Sequence, residues 1–383
     1  MSRNGISGFN SERLQQIMTV RRLTQVQLAA MVGVSTAAIS KWKNGQHSPD
    51  ASTLERLASV LNVTAEWFTR PIQGSIEKPL FRSNASAHKQ ARLMLEERLK
   101  LTDEIILYLS EYLDIPALNL PKRDFHDPQI IQQADIEEAA IEFRQKMLLG
   151  NAPIQDLLLA VESAGVVVVR EQTDISAIEG LSTWSKNKEF PLILLSADKA
   201  NAYRSRFDLA HELGHLILHK HIEESLKNTH YKLMEHQAHT FAGALLLPAE
   251  SFSAKVRIPT TLDDLLIQKK YWGVSVAAMI MRLHKLNIID DDTKANLFKR
   301  RSIRWGAREE PGDKDLQPEE PRLLRRSIEL LVQENILKTE HLKTYFGLGT
   351  QDLLNLLNLE ENYFEQKKNK VIPFVKFKSS ASN

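Results

Sequence analysis

The residues with the clearest capacity for chemistry are His211, Glu212 and His215, within FDLAHELGHLILH at residues 207–219. Two histidines four apart on an α-helix share one face about a turn apart, so both imidazoles can reach a single ion. The glutamate directly after the first histidine is then placed to take a proton from water activated at that ion. Zinc takes about four ligands, so two histidines do not complete a site. A third candidate, Glu235, follows His215 by 20 residues in MEHQAHTFAGALLLP, residues 234–248. That stretch also reads as a helix, with Phe241, Ala242, Leu245 and Leu246 on an apolar stripe ending at Pro248. Returning antiparallel to the first helix, it would bring Glu235 opposite the histidines. Three protein ligands and a water make an open, catalytic type of zinc site. A histidine pair on an amphipathic helix can also be merely solvated or packed, and the carboxylate at the right place is what favours the metal.

Several elements must position this group. Residues 135–147 and 153–164 read as helices, the second with Pro153 in its first turn. Three β-like runs follow, at 166–170, 178–184 and 192–195, directly before the histidine helix. Helices, a small antiparallel sheet and then the metal helix form the order expected of a compact zincin-like domain. A peptide could lie extended along such a sheet edge, adding a strand. Oxyanion partners beyond zinc are open among His219, His221, His230, Tyr231 and Tyr203. Past Pro248 the chain turns helical, with a Gly273-Val274-Ser275 turn inside residues 262–286. A supporting role suits this turn better than DNA reading, because its second helix carries Met279, Ile280 and Met281 and few basic residues. Residues 299–321 read as a charged connector whose basic start is a solvated surface. Runs at 323–332, 341–346 and 352–359 suggest a small C-terminal helical unit before a Lys-rich tail.

The N-terminal stretch has a different character. Residues 9–20 form an amphipathic helix with Leu14, Ile17 and Met18 inward. Thr24 can cap the next helix, Gly33 can end it in a tight turn, and Ser35 can cap residues 36–43. Two short helices joined by a glycine-containing turn mark a helix-turn-helix. Residues 51–61 and 65–68 supply two more helices. Residues 71–90 read as a linker, broken by Pro71, Gly74 and Pro79. Residues 91–113 then read as a spacer helix, or as one that pairs with its copy in a homodimer.

The wording of these stretches carries two resemblances. LTQVQLAAMVGVSTAAISKWKNG, within residues 9–70, resembles the Xre/Cro family of DNA-binding domains. That resemblance implies that the second helix of the pair enters a major groove of operator DNA. It places Thr36, Ala37, Ala38 and Lys41 towards base edges, Ser35 and Lys43 near phosphates, and Gln25 against the backbone. Such a helix is poor in long polar side chains, so readout would rest partly on methyl contacts and DNA shape. RSRFDLAHELGH, followed by EHQAHTFA and LLLP, resembles the ImmA/IrrE family of metallo-endopeptidases over roughly residues 130–300. That resemblance implies Zn2+ held by His211, His215 and Glu235, with Glu212 as the base, and a protein substrate, often a helix-turn-helix repressor. His239 stands where that family usually shows asparagine.

Composition bounds the rest. The 383 residues hold 43% hydrophobic and 26% charged side chains, ordinary for globular protein and enough for two or three domains. With no cysteine, a metal must be held by His, Asp or Glu. No apolar run is long enough for a membrane span, and the start of the chain lacks a signal-peptide core, so a cytoplasmic location is expected. Residues 1–70 carry eight Lys/Arg against four acids while the chain totals only +2, which suggests an anionic partner for that part alone.

The expected architecture is α+β, mostly α, in four parts. These are a helix-turn-helix domain at 1–70, a linker and spacer helix at 71–130, a zinc metallopeptidase domain at 131–300 and a helical region at 301–383. The expected function is transcriptional regulation through operator DNA, coupled to a zinc endopeptidase acting on a protein target. The alternative is a DNA-binding repressor, of mobile-element or toxin–antitoxin type, whose metal domain senses or dimerises without cutting.

Overall fold

The computed structural model describes residues 5–79, 89–173, 178–187, 190–198, 200–306 and 309–365. The middle of the expected linker (80–88) and most of the Lys-rich tail (366–383) lie outside them.

Four helices open the chain: α1 Ser11–Val20, α2 Gln25–Val32, α3 Thr36–Lys43 and α4 Ala51–Leu61, followed by a 3-10 turn at Ala65–Thr69. Their boundaries follow the expected caps. Thr24 and Gln27 make a reciprocal capping box on α2, and Ser35 Oγ accepts from Ala38 N–H at 3.1 Å on α3. Gly33 joins the two helices at φ +74°, a left-handed conformation that costs a side-chain-bearing residue energy and glycine little.

A long helix, α5 Lys89–Leu109, comes next. Its apolar stripe is not offered to a second copy: Leu95, Leu99, Ile106 and Leu109 are fully buried, and the helix packs on α1, on the sheet and on the C-terminal helices. Two helices follow, α6 Gln133–Lys146 and α7 Leu157–Ser163. The second starts four residues later than Pro153 suggested, because Asp156 accepts from Leu159 N–H and caps it there.

The sheet comprises β1 Val167–Glu171, β2 Gly180–Trp184 and β3 Pro191–Ser196, in the order β1-β3-β2. It is mixed, where an antiparallel sheet was expected: β2 pairs antiparallel with β3, but β1 pairs parallel with it. Helices cover both faces. Val167, Val169, Leu181, Leu192 and Leu194 join a core shared with the N-terminal helices, α5 and the C-terminal helices. Val168, Trp184, Ile193 and Leu195 join a second core with the helices that follow. Burial on both faces explains why β1 and β3 read as continuous apolar runs without alternation.

After the sheet come α8 Ala202–Leu218, α9 Glu224–Thr229, α10 Tyr231–Leu246, α11 Ala249–Ser253, α12 Leu262–Trp272, α13 Val276–Lys285 and α14 Asp291–Trp305. The last of these corrects the connector reading, since residues 299–305 are helical. The segment after it is an ionic strap. The buried Glu310 carboxylate meets Arg301 Nε at 2.9 Å and Lys269 Nζ at 3.3 Å, and it accepts from the Val276 and Ala277 N–H groups at 2.8 and 3.0 Å. The first turn of α13, where a second DNA-reading helix would approach phosphate, is therefore already occupied by a carboxylate.

Three helices close the described chain: α15 Leu323–Gln333, α16 Leu342–Phe346 and α17 Thr350–Leu356. They dock against the N-terminal helices. Thr64 N–H donates to Gly347 at 2.9 Å, and Arg70 donates to the Tyr345 carbonyl at 2.7 Å. Among the described residues, no helix is long and apolar enough to cross a membrane.

Candidate metal centre and helix-turn-helix face

The metal candidates converge. Helices α8 and α10 pack along each other, bringing Glu235 in the first turns of α10 against His211 and His215 on α8. The two Nε2 atoms lie 3.1 Å apart. Glu235 carboxylate oxygens lie 3.2 Å from His215 Nε2 and 3.6 Å from His211 Nε2. Ligands at the usual zinc distances of about 2.0–2.1 Å in a tetrahedron stand about 3.3 Å from one another, and these three spacings bracket that value. Among the described residues, this is the group of His, Asp and Glu that could hold a metal ion.

A relay behind His215 fixes which nitrogen faces the cluster. His215 Nδ1 is 3.0 Å from His219 Nδ1, His219 Nε2 is 3.0 Å from Gln237 Oε1, and Gln237 Nε2 donates to the Pro128 carbonyl at 2.7 Å. A proton on His215 Nδ1 and another on His219 Nε2 satisfy this chain and leave His215 Nε2 as a bare lone pair. A separation of 3.1 Å calls for a proton or a cation between the two Nε2 atoms, and the His211 tautomer is not fixed from behind, because its buried Nδ1 has no hydrogen-bond partner among the described residues. The donor set and its spacing therefore fit a zinc-type ion. Burial holds the His211 and His219 imidazoles well below the usual range, helped by neighbouring histidines, so both favour the neutral form, which His211 needs to ligate and His219 needs to accept from His215. Burial alone would raise Glu235. Without an ion, protonation of His215 and His211 gives Glu235 a hydrogen bond and positive neighbours, which with a hydrogen bond to Tyr231 outweigh burial and hold the carboxyl at about 2, so proton and cation compete for the same Nε2 atoms.

Glu212 lies against the sheet, within range of the charges of the ligand cluster. It is 8% exposed and its Oε2 accepts from Ser182 Oγ on β2 at 2.7 Å. Burial pushes its carboxyl up to about 7, against the charge of His215 and the Ser182 hydrogen bond. Gly180 permits this contact, because a Cβ there would stand 3.0 Å from Glu212 Cγ and 3.2 Å from Oε1. The sequence reading missed the roles of Ser182, Gly180 and Gln237: Gln237 stands within EHQAHTFA, but only proximity in space assigns its role, and the other two belong to no motif.

The other expected polar groups scatter. His219 belongs to the relay and Tyr231 to Glu235. Tyr203 lies under Lys269 Nζ at 4.4 Å, His221 stands 6.0 Å from the His126 ring, and His230 sits at the start of α10. His239 packs on the candidate ligand His211 without joining the group: its ring centre is 4.4 Å from that of His211 and 5.7 Å from that of Phe207.

On α3, Thr36, Ala37 and Lys41 are exposed, Ala38 and Lys43 are half-buried, and Gln25 at the head of α2 is half-buried. Ser35 is exposed, with its Oγ engaged as the cap. Isoleucine 39 and Trp42 face inward on the same helix, which leaves one narrow polar face outward. The positive charge of the N-terminal helices is partly engaged within the molecule. Arg13 pairs with Glu104 on α5, Arg21 with Asp352 on α17, and Arg70 caps carbonyls of α16, so these three cations are spent inside the molecule.

Comparison with known proteins matches two parts of the chain. Residues 14–68 match the Helix-turn-helix family model, and residues 161–284 match a peptidase family model described as the IrrE N-terminal-like domain. The first stretch is similar to the HTH-type transcriptional activator BcrR of Enterococcus faecalis, at 43% identity over 58 residues, which is 15% of this chain and 28% of the relative. It is also similar to the uncharacterized HTH-type transcriptional regulator RghRB of Bacillus subtilis (strain 168), at 41% identity over 56 residues, or 14% and 40%. The chain thus spans well under half the length of either relative. The candidate ligands His211, His215 and Glu235, and Glu212 beside them, fall inside the second matched stretch. One polypeptide therefore joins a helix-turn-helix module at residues 14–68 to an IrrE N-terminal-like module of a peptidase family at residues 161–284.

Proposed function

We propose that the protein is a DNA-binding transcriptional regulator whose second module is a zinc-dependent endopeptidase acting on a protein target, a helix-turn-helix repressor being the favoured class. The observation that carries the catalytic part is the placing of Glu212: adjacent in sequence to a ligand, buried, and clamped by Ser182 outside the ligand cluster. A purely structural metal site has no use for such a carboxylate.

His211, His215 and Glu235 would hold the ion. Bound zinc supplies Lewis acidity, making water more acidic and a peptide carbonyl more electrophilic. Glu212 takes the proton from the attacking water and delivers it to the amine that leaves. Burial raises this carboxyl in the metal-free protein, and a bound cation would lower it again, leaving Glu212 ionised to accept the proton. Ser182 holds the accepting oxygen in one orientation, and the His219–Gln237 relay holds His215 in the ligating tautomer. On the other module, Thr36, Ala37, Ala38 and Lys41 read base edges while Gln25, Ser35 and Lys43 meet the backbone. The similarity to two HTH-type regulators supports the DNA-binding part.

The test is metal analysis of the purified protein, then incubation with helix-turn-helix repressors alongside the Glu212→Gln variant. One zinc per chain with cleavage only by the unaltered protein is expected. Zinc without cleavage of any repressor would leave a regulator with a sensing metal domain.

A further inference from the structure

Strand β2 is an edge of the sheet, and the end of it that carries Gly180 and Ser182 lies against Glu212, the residue after His211. Along the side of β2 turned away from β3, the chain leaving the helix-turn-helix module is laid down as a short added strand. Ile76 bridges Ser185 in the antiparallel sense. Glu77 N–H donates to the Trp184 carbonyl at 2.8 Å, and Lys186 N–H donates to the Ser75 carbonyl at 2.7 Å. Two side chains close the seam: Thr183 Oγ1 donates to the Glu77 carbonyl at 2.6 Å and Asn187 Nδ2 to that of Gln73 at 2.5 Å. The segment is held from α5 as well, where Asp103 accepts from Ser75 N–H at 2.8 Å and Glu104 from Gly74 N–H at 3.3 Å. A Cβ on Gly74 would stand 2.2 Å from the Lys100 carbonyl oxygen, so only glycine lets the chain lie this close to the helix. Upstream, Asn10 and Arg13 at the start of α1 donate to the Arg70 carbonyl, and Arg13 also to that of Pro71, which ties the strand to the DNA-binding module.

Backbone groups of alternate residues in a strand face the same side. Trp184 gives its carbonyl to Glu77, so the N–H and C=O groups of Ser182 and Gly180 face that same edge. An extended peptide whose carbonyl reaches the ligand cluster would add to these groups as a strand. Running antiparallel to β2, it would carry its upstream residues past Trp184, which at about 3.4 Å per residue lies about 7 Å along the edge from Ser182. Residues 75–77 already fill those positions, and they run in the same direction.

We propose that residues 73–78 are a built-in occupant of the peptide-docking edge, which an extended segment of a protein target must displace before it is held at the metal site. The proposal rests on the endopeptidase reading of that site. The occupant is suited to being exchanged. Most of what holds it to β2 is main-chain hydrogen bonding that any sequence can make, so a target making the same bonds replaces most of what is lost. Its charged anchor, Lys78 on Glu224 at the start of α9, is 2.9 Å long with both side chains exposed, and a solvent-screened pair of this kind holds weakly.

Two hydroxamates of different reach test this on the full zinc-loaded chain. Acetyl-alanine hydroxamate is too short to pass Ser182, whereas acetyl-tetra-alanine hydroxamate extends upstream past Trp184. Two variants free the edge: Glu77→Pro removes the N–H given to Trp184, and Lys78→Glu turns the ion pair with Glu224 into a repulsion. In both, hydrogen exchange read by mass spectrometry should quicken over residues 73–78 and 183–187 with zinc content unchanged. The longer hydroxamate should bind these variants at least about fivefold tighter than the unaltered chain, because its apparent affinity follows the fraction of molecules with the edge open, and the shorter one should bind all three alike. Adding Glu224→Lys to Lys78→Glu should restore slow exchange and weak binding together. Faster exchange with no gain for the longer hydroxamate overturns the proposal, since the segment is then a strap that no peptide competes with. Unchanged exchange in both variants overturns it too, because the strand then does not open by itself. Equal gains for both hydroxamates do the same, by placing the effect at the ion rather than along the edge. The length-dependent gain, in a protein that cleaves neither labelled casein nor a repressor in any form, would keep the occupied edge and remove the endopeptidase reading.

Discussion

Ser182 Oγ donates to Glu212 Oε2 across 2.7 Å, tying the middle of an edge strand to the carboxylate beside His211, the first candidate ligand. The two residues are 30 positions apart in the chain, and the contact exists because β2 lies against α8 with glycine at position 180. It gives a buried carboxylate one fixed orientation while leaving its second oxygen uncommitted to Ser182.

Glu212→Gln should keep stoichiometric zinc and lose proteolysis, because the amide preserves shape and cannot accept the proton. In the metal-free protein the same change should stabilise the fold. A carboxyl raised from about 4.5 to about 7 contributes its full relative stability below the ordinary carboxylate range and loses it as pH rises through about 7. The gain from Gln should therefore be negligible at pH 4 and reach about 3 kcal/mol at pH 8. Urea melts of both proteins in chelator, run across that range, check it; a pH-independent difference would remove the assignment.

Ser182→Ala should move the Glu212 midpoint upward in the metal-free protein, since the lost hydrogen bond favours the ionised form. Isotope-edited infrared spectroscopy of the carboxyl band reads the midpoint directly. An unchanged midpoint would mean that the serine is only a packing contact.

Glu235→Ala and His211→Ala should each lower zinc content, by removing one of three converging ligand atoms. His219→Ala should leave the ligands in place yet weaken zinc affinity by about 10–100-fold, because it frees His215 to rotate and to change tautomer. Competition with a fluorescent chelator separates the classes. Full affinity in the His219 variant would show the relay to be incidental.

Asp352→Asn should destabilise the protein by about 3–5 kcal/mol at neutral pH, the usual cost of removing one partner from a buried ion pair. Asp352 meets Arg21 of α1's end and Arg98 of α5, and Arg98 also holds Glu171 at the end of β1. Burial alone would raise the Asp352 carboxyl, but the two guanidinium groups hold it below the usual range. A depressed carboxylate contributes stability that is present above about 3.8 and is lost as pH falls through the folded-state value. The gap between the two proteins in denaturant melts should therefore close on acidification below about pH 4.

Lys41→Ala should weaken operator binding by about 1–3 kcal/mol if the side chain reaches a base, and equally on operator and random DNA if it reaches phosphate. Gel-shift titrations at two salt concentrations distinguish the cases. No loss on either DNA would remove Lys41 from the interface.

Much of the local structure was written in the chain itself. Thr24, Gly33 and Ser35 set the helix-turn-helix boundaries because caps and left-handed turns are decided by the backbone groups of a few adjacent residues. The His211–His215 spacing put two imidazoles on one helical face for the same local reason. What depended on packing was hidden. Pro153 looked like a helix start until Asp156 competed for it, and the parallel β1–β3 ladder could not be told from an antiparallel one by runs of valine and leucine. Residues 299–305 read as solvated charge, yet Arg301 is buried, because its carboxylate partner Glu310 comes nine residues later from a returning strap. The clamp on Glu212, the relay behind His215 and the Arg21–Asp352–Arg98–Glu171 network all join residues distant in sequence. Local residue types determine which groups are able to ligate, cap or donate. Which of them meet is decided only when the two cores close on opposite faces of one sheet and bring those groups within hydrogen-bonding distance.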